Sequence, residues 1–295
     1  MSPSARNRLR NLSGFPLILL GFYLTLNFSI HAQITFTNLP NPPDPQNAIF
    51  SCPYGIDKTN IVGSYDNRGR TRGFLFDGSK WSTLEVPRGK KGTYARSISG
   101  TNIVGIYYDR SVKMHGFIYN GVTYRILDHP KGADGTLLTG ISGTNIVGNY
   151  YDATSITHGF IYNGFSYSEI EDRKGVNGTY IMGIDNDRVI GVFKTVDGIW
   201  NSFLYDHADF KTLSNPTATC GTLANGISGT NIVGTYYDAG GLSHGFLFNG
   251  IEFKTIDHPL GTVGTGINAI SGNRIVGWYR DATNSHGFIA TLPTP

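Results

Sequence analysis

The chain is 295 residues long and carries 24 lysines and arginines against 21 aspartates and glutamates, a formal charge of +3. The excess lies in Arg6, Arg8 and Arg10, so residues 33–295 are electrically balanced and lack the electrostatic footprint of a nucleic-acid binder. Thirty-nine glycines would suggest disorder, but they recur in register and aromatic residues make up 13% of the chain, which indicates one large folded domain instead.

The first predicted element is a secretion leader over residues 1–32. Its three arginines form the positive start, Phe15 to Phe28 is an apolar run too short to span a bilayer comfortably, and Ile30-His31-Ala32 places a cleavage point before Gln33. An uncleaved anchor is the alternative. No second hydrophobic span follows, so the expectation is a secreted protein, extracellular or periplasmic, with no membrane association after cleavage.

From there a unit of about 43 residues is written six times. Asn-Ile-Val-Gly or a relative ends at Gly63, Gly105, Gly148, Gly191, Gly234 and Gly277, and about eleven residues later His-Gly-Phe or its substitute places Phe74, Phe117, Phe160, Phe203, Phe246 and Phe288. Within the unit that opens at Gly135-Thr136, two β-forming runs flank Ser142-Gly143-Thr144-Asn145. A second pair, from His158 and from Phe165, is joined by Asn163-Gly164, the signature of a two-residue type I′ turn. Four strands every 43 residues, with no 3.6-residue apolar period beyond the leader, predict an all-β, six-bladed β-propeller of four-stranded antiparallel blades over residues 33–295. Tyr65, Tyr107, Tyr150, Phe193, Tyr236 and Tyr279, two positions after each marker glycine, are expected to pack between blades. The last unit stops after its third strand, while Ile34 to Pro40 resembles a fourth strand such as Tyr124 to Pro130. The N-terminal strand should therefore complete the sixth blade and leave no open edge.

Gly-Ile-Ser-Gly, Ile-Val-Gly-x-Tyr and His-Gly-Phe-Ile-Tyr together resemble the bacterial extracellular HAF-repeat family, whose usual tripeptide is His-Ala-Phe where this chain has His115-Gly116-Phe117. The resemblance covers nearly all of residues 33–295. It implies a repeat type and an extracellular setting but no particular activity. Many members carry a C-terminal sorting tail, and its lack here favours release over retention.

The candidate chemistry is repetitive. His115, His158, His244 and His286 share one blade position, each five or six residues after Asp109, Asp152, Asp238 or Asp281. Such pairs can serve acid–base chemistry or hold metal. Recurrence at four places in a ring instead predicts a structural hydrogen bond fixing the loop between the second and third strands. Asp128-His129-Pro130 and Asp257-His258-Pro259 read as turns leaving the fourth strand. Glu171 and Asp172 are adjacent and would point apart. No nucleophile motif, phosphate loop or metal spacing is present, so neither catalytic residues nor a cofactor nor a metal is expected. Cys52 and Cys220 fall two blades apart, against a disulfide.

A ligand breaks the symmetry of a ring, so residues that differ between units are the better pointers. Arg72 and Asn201 replace the histidine, Trp200 and Trp278 stand where other units have unrelated residues, and Trp81 matches core aromatics. Long second-to-third and fourth-to-first connections share one face, where binding groups usually sit. Tyr108, Tyr151 and Tyr237 leave their strands toward it, beside Lys90, Lys91, Lys131, Arg173 and Lys174. The predicted site is thus Tyr108, Tyr151, Tyr237, Trp200 and Trp278. The predicted function is monomeric, non-enzymatic binding of an extracellular polysaccharide or protein; a polysaccharide hydrolase or lyase on the same scaffold and a structural matrix or envelope protein are the alternatives.

Overall fold

The computed structural model describes residues 33–42, 51–172, 174–175, 178–206 and 209–293; the predicted leader and Arg173 lie outside the described residues. Among the described residues twenty-four strands follow one another. The first, β1 (Thr35–Asn38), precedes blade 1, made of β2 (Ser51–Asp57), β3 (Asn60–Asn67), β4 (Arg70–Phe76) and β5 (Trp81–Leu84). Blade 2 is β6 (Gly92–Ser99), β7 (Asn102–Tyr108), β8 (Met114–Tyr119) and β9 (Tyr124–Ile126). Blade 3 is β10 (Gly135–Ser142), β11 (Asn145–Tyr151), β12 (Thr157–Tyr162) and β13 (Tyr167–Ile170). Blade 4 is β14 (Thr179–Asp185), β15 (Arg188–Lys194), β16 (Trp200–Asp206) and β17 (Asp209–Leu213). Blade 5 is β18 (Gly221–Ser228), β19 (Asn231–Tyr237), β20 (Ser243–Phe248) and β21 (Phe253–Thr255). Blade 6 is β22 (Gly264–Ser271), β23 (Arg274–Arg280) and β24 (Ser285–Thr291), and its fourth strand is β1, antiparallel to β24 with Asn38 opposite Phe288 and Thr35 opposite Thr291. The strands of each blade, in order, are called A to D below. This is the six-bladed propeller closed by its N-terminal strand that the repeats predict.

The two sequence markers are a single packing unit. In every blade the marker glycine of strand B sits opposite the marker phenylalanine of strand C, as Gly105 does Phe117. A Cβ on Gly105 would lie 2.9 Å from that ring and closer still to the Tyr94 carbonyl, so the ring folds down onto bare backbone. All six phenylalanines are fully buried. The glycine of His-Gly-Phe has a different neighbour: a Cβ on Gly116 would meet Leu138 of the next blade at 2.8 Å. Blade 4 has Ser202 there, whose hydroxyl donates to the Thr222 carbonyl and accepts the Ala224 amide of blade 5. The aromatics two positions past the marker glycines are buried as expected.

His129 and His258 correct the reading as simple turns. Each does open one, with Gly132 and Gly261 donating back to their carbonyls, but both rings are buried and stacked on the tyrosine of the following blade. His129 lies 3.9 Å from Tyr150 at 4°, and His258 3.8 Å from Tyr279 at 1°. Val86, Asp172 and Asn215 hold the same position at other junctions, so the stacked imidazole belongs to two junctions of the ring.

Two further sets of bonds hold the ring. A buried threonine near the start of strand A accepts the amide of the D–A connection seven residues back in five blades, as Thr136 does from His129 and Thr179 from Asp172. At the far end of each A strand, a side chain accepts an amide from the next blade's A–B turn. Asp57 takes Gly100, Ser99 takes Gly143, Ser142 takes Asn186, Asp185 takes Gly229, Ser228 takes Gly272, and Ser271 takes Lys58, which completes the circle.

Candidate functional site at the mouth of the axial channel

Antiparallel order puts the tight A–B and C–D turns on one face and the B–C and D–A loops on the other. The A strands surround the axis. They line a cavity of about 180 Å³ whose walls come from all six and from no other strand. Each A strand carries a β-bulge against strand B at the same place, between Pro53 and Gly55, Ala95 and Ser97, Leu138 and Gly140, Ile181 and Gly183, Ala224 and Gly226, and Ile267 and Ala269. The skipped residues are Tyr54, Arg96, Thr139, Met182, Asn225 and Asn268, and the first five line the cavity. A bulge re-aims a side chain out of the ladder, and here it does so toward the axis with five residues of five kinds.

Above this layer, on the long-loop side, Tyr94 meets Tyr108 edge-on at 6.0 Å. Burial first, and then the hydroxyls of Tyr180 and Tyr108, push the Tyr151 hydroxyl pKa up. Tyr180 in turn meets Trp200 edge-on at 5.6 Å, and the Lys194 ammonium stands 5.9 Å over that indole. The two edge-on pairs, on blades 2 and 4, and Tyr151 on the blade between them make a run of five half-buried rings.

Of the predicted site residues, the structure brings together Tyr108, Tyr151 and Trp200. Tyr237 and Trp278 are half-buried too, but they stand in blades 5 and 6 without a ring contact to the run among the described residues. Trp278 lies over Gly266 of its own blade, where a Cβ would come within 2.6 Å of the indole. Two of the expected basic neighbours turn elsewhere: Lys131 pairs with Glu169 at 2.7 Å and Lys174 donates to Thr212, both on outer D strands. Tyr94, Tyr180, Arg96 and Lys194 were missed. Their signal was variation at fixed A- and B-strand positions whose neighbours repeat, and it is visible only once the bulge and the axis are known.

The four repeated histidines bond within their own blades. His158 holds Glu171 at 2.6 Å through Nδ1 and Asp152 at 3.2 Å through Nε2, and His244 holds Asp257 at 2.7 Å and Asp238 at 3.4 Å. His115 does the same with Asp128 at 2.7 Å, and His286 meets Asp281 at 2.8 Å. Each ring stacks on the buried strand-B tyrosine, as His158 does on Tyr150 at 4.8 Å. Arg72, in the histidine's place in blade 1, pairs with Glu85 at 2.8 Å. The acids also cap the B–C loops; the Thr154 hydroxyl and amides of Thr154 and Ile156 hold the Asp152 carboxyl well below the usual range. The strand-D acids were not foreseen as partners. Glu171 and Asp172 do diverge, one to His158 and one inward. Among the described residues no group of three or more His, Cys, Asp or Glu is placed to hold a metal. Cys52 and Cys220 are free thiols, and burial pushes Cys52 up to about 11.

No family model matches the chain, and no curated protein matches it. Among solved structures it is similar to AofleA from Arthrobotrys oligospora, with a TM-score of 0.55 and 10% identity over 87% of this chain and 86% of that one. It is also similar to the Aleuria aurantia lectin, a six-bladed β-propeller described for its fucose recognition, at 0.53 and 14% over 84% and 99%. TolB from Acinetobacter baumannii matches equally well in shape, at 0.55 and 10% over 80% of this chain and 64% of that one. At such identities the likeness establishes the fold alone: an all-β, six-bladed propeller.

Proposed function

We propose that this chain is a secreted, non-enzymatic propeller that binds an extracellular polysaccharide on its long-loop face. The observation that carries the reading is the run of half-buried rings Tyr94, Tyr108, Tyr151, Tyr180 and Trp200 at the mouth of the axial channel. Flat rings held at their edges and open on one side suit the apolar faces of sugars, and the polar edges of the channel suit their hydroxyls. The fucose recognition of the Aleuria aurantia lectin supports a propeller as a glycan-binding scaffold. The HAF-type repeat and the leader support an extracellular setting. A hydrolase reading gains nothing from the histidines, because all four are spent on their own loops.

The test is a glycan array followed by titration calorimetry with residues 33–295 and a reducing-end assay for turnover. Tyr108→Ala, Tyr151→Ala and Trp200→Ala should each weaken binding by roughly fivefold, the equivalent of about 1 kcal/mol per ring, with no turnover. Unchanged binding in the triple variant would reject the site. Sequencing the N-terminus of the exported protein should find Gln33 first.

A further inference from the structure

Of the six bulge residues, Arg96 alone is charged, and it has no polar partner among the described residues. Asn225 donates to the Ile267 carbonyl at 2.9 Å, Asn268 to the Pro53 carbonyl at 2.7 Å and Thr139 to the Val147 carbonyl at 3.4 Å. Arg96 makes no ion pair or hydrogen bond among the described residues, and its Nε is buried without a partner. Its guanidinium lies 4.4 Å over the Tyr54 ring and 6.0 Å from that of Tyr94, so it is held flat and pre-oriented. The groups around it, Cys52, Tyr54 and Tyr151, all have raised pKa values through burial and stay neutral. The side chain is half-buried on the cavity wall, so its terminal nitrogens remain as donors for a ligand.

The location fits that role. The bulge brings the Arg96 guanidinium to 6.0 Å from the Tyr94 ring while the residue also lines the cavity, so Arg96 stands between the ring run and the cavity. The cavity has room for a carboxylate and several waters. Asp57 and Asp185 lie at its turn-side end, each accepting an amide, so negative charge is repelled there and an anion must come from the long-loop mouth.

We infer that Arg96 is the anion-reading group of the glycan site, and that the preferred ligand is an acidic polysaccharide whose uronate carboxylate forks onto the guanidinium while its ring rests on Tyr94, Tyr108 and Tyr151. The inference rests on the glycan-binding reading and adds the substrate class. Arginine presents a planar pair of donors that matches a carboxylate.

The probes are an oligogalacturonate, its full methyl ester and a neutral cello-oligosaccharide, titrated into wild type, Arg96→Gln, Arg96→Lys and Tyr151→Ala, each first shown to melt as a folded domain. Wild type should prefer the uronate to its ester at least tenfold, with an affinity that falls as salt rises. Arg96→Gln should bind both at the ester's level, and Arg96→Lys should keep part of the preference. If wild type binds ester and uronate alike, or if Arg96→Gln keeps the preference, the role of Arg96 is rejected. The glycan reading survives that result provided Tyr151→Ala weakens all three ligands. If no glycan binds, that reading fails, and free glucuronate decides the anion site. A saturable shift of the Arg96 Nε–H resonance, identified by its loss in Arg96→Gln, supports the site, and a resonance unmoved by glucuronate overturns it.

Discussion

Tyr150 is stacked between two histidines with opposite demands. His129 is buried between blades, and burial lowers its pKa; His258 behaves the same way, with the nearby His286 adding to the effect. His158, on the other face of Tyr150, would also be lowered by burial, but the carboxylates of Glu171 and Asp152 outweigh it and raise the value, as Asp257 and Asp238 do for His244. The signs follow by linkage. For His158 and His244 the stabilisation is complete below the unfolded value of about 6.5 and is lost as pH rises through the raised folded value. For His129 and His258 it is complete above about 6.5 and is lost as pH falls toward the depressed values. Thermal melts between about pH 5 and 8 should show His158→Gln losing most against wild type at the acid end. His129→Val, which installs the residue of the blade 1 junction, should recover ground there. Parallel curves for the two variants would contradict the assignment. Asp152 and Asp281, both lowered chiefly by threonine hydroxyl bonds, add stability that persists above about 3.9 and falls away only in stronger acid.

At the level of the strand, marker glycine and marker phenylalanine are one device, so truncating the ring empties a fully enclosed space. Phe160→Ala should cost about 3–5 kcal/mol in denaturant unfolding, and an unchanged midpoint would contradict the packing. The closing strand is a different kind of element. Although β1 has four residues, Phe36 packs on Phe288 at 5.6 Å and on His258 at 4.9 Å, and Leu39 is buried beside it. Removing residues 33–40 would bare the edge of β24 and the ring of Phe288. Unpaired edges recruit other chains, so the shortened protein should self-associate in light scattering while the intact domain stays monodisperse. A monodisperse shortened protein would mean that β1 is dispensable.

For the molecule as a whole, the six side-chain-to-amide bonds at the turn side make the ring continuous without a covalent link. Each crosses a blade junction at an exposed position, so a single Ser→Ala change should cost about 0.5–1.5 kcal/mol. Ser99→Ala and Ser228→Ala sit three blades apart and should add in urea unfolding, as distant sites do. A large excess over additivity would mean that the ring opens cooperatively at its weakest junction. The same frame lets function vary cheaply. Residues that hold blades together repeat from unit to unit, while the bulge residues facing the axis are free to differ.

What the sequence determined by itself was everything that repeats. Period, turn type, the buried phenylalanines and the completion of blade 6 by Ile34 to Leu39 could all be read from the chain, because a packing contact needed six times leaves six copies of its residues. Tyr108 and Tyr151 were expected on the long-loop face because strand B ends there, and Trp200 stood out as a departure from the repeat. Only the tertiary structure decided which departures meet. Arg96 looked like any polar residue of a strand until the bulge turned it out of the A–B ladder and the packing of blade 1 against blade 2 brought Tyr54 beneath it. Glu171 and Asp128 became histidine partners for a similar reason: strand D pairs with strand C thirteen residues away, a distance over which spacing alone says nothing about contact.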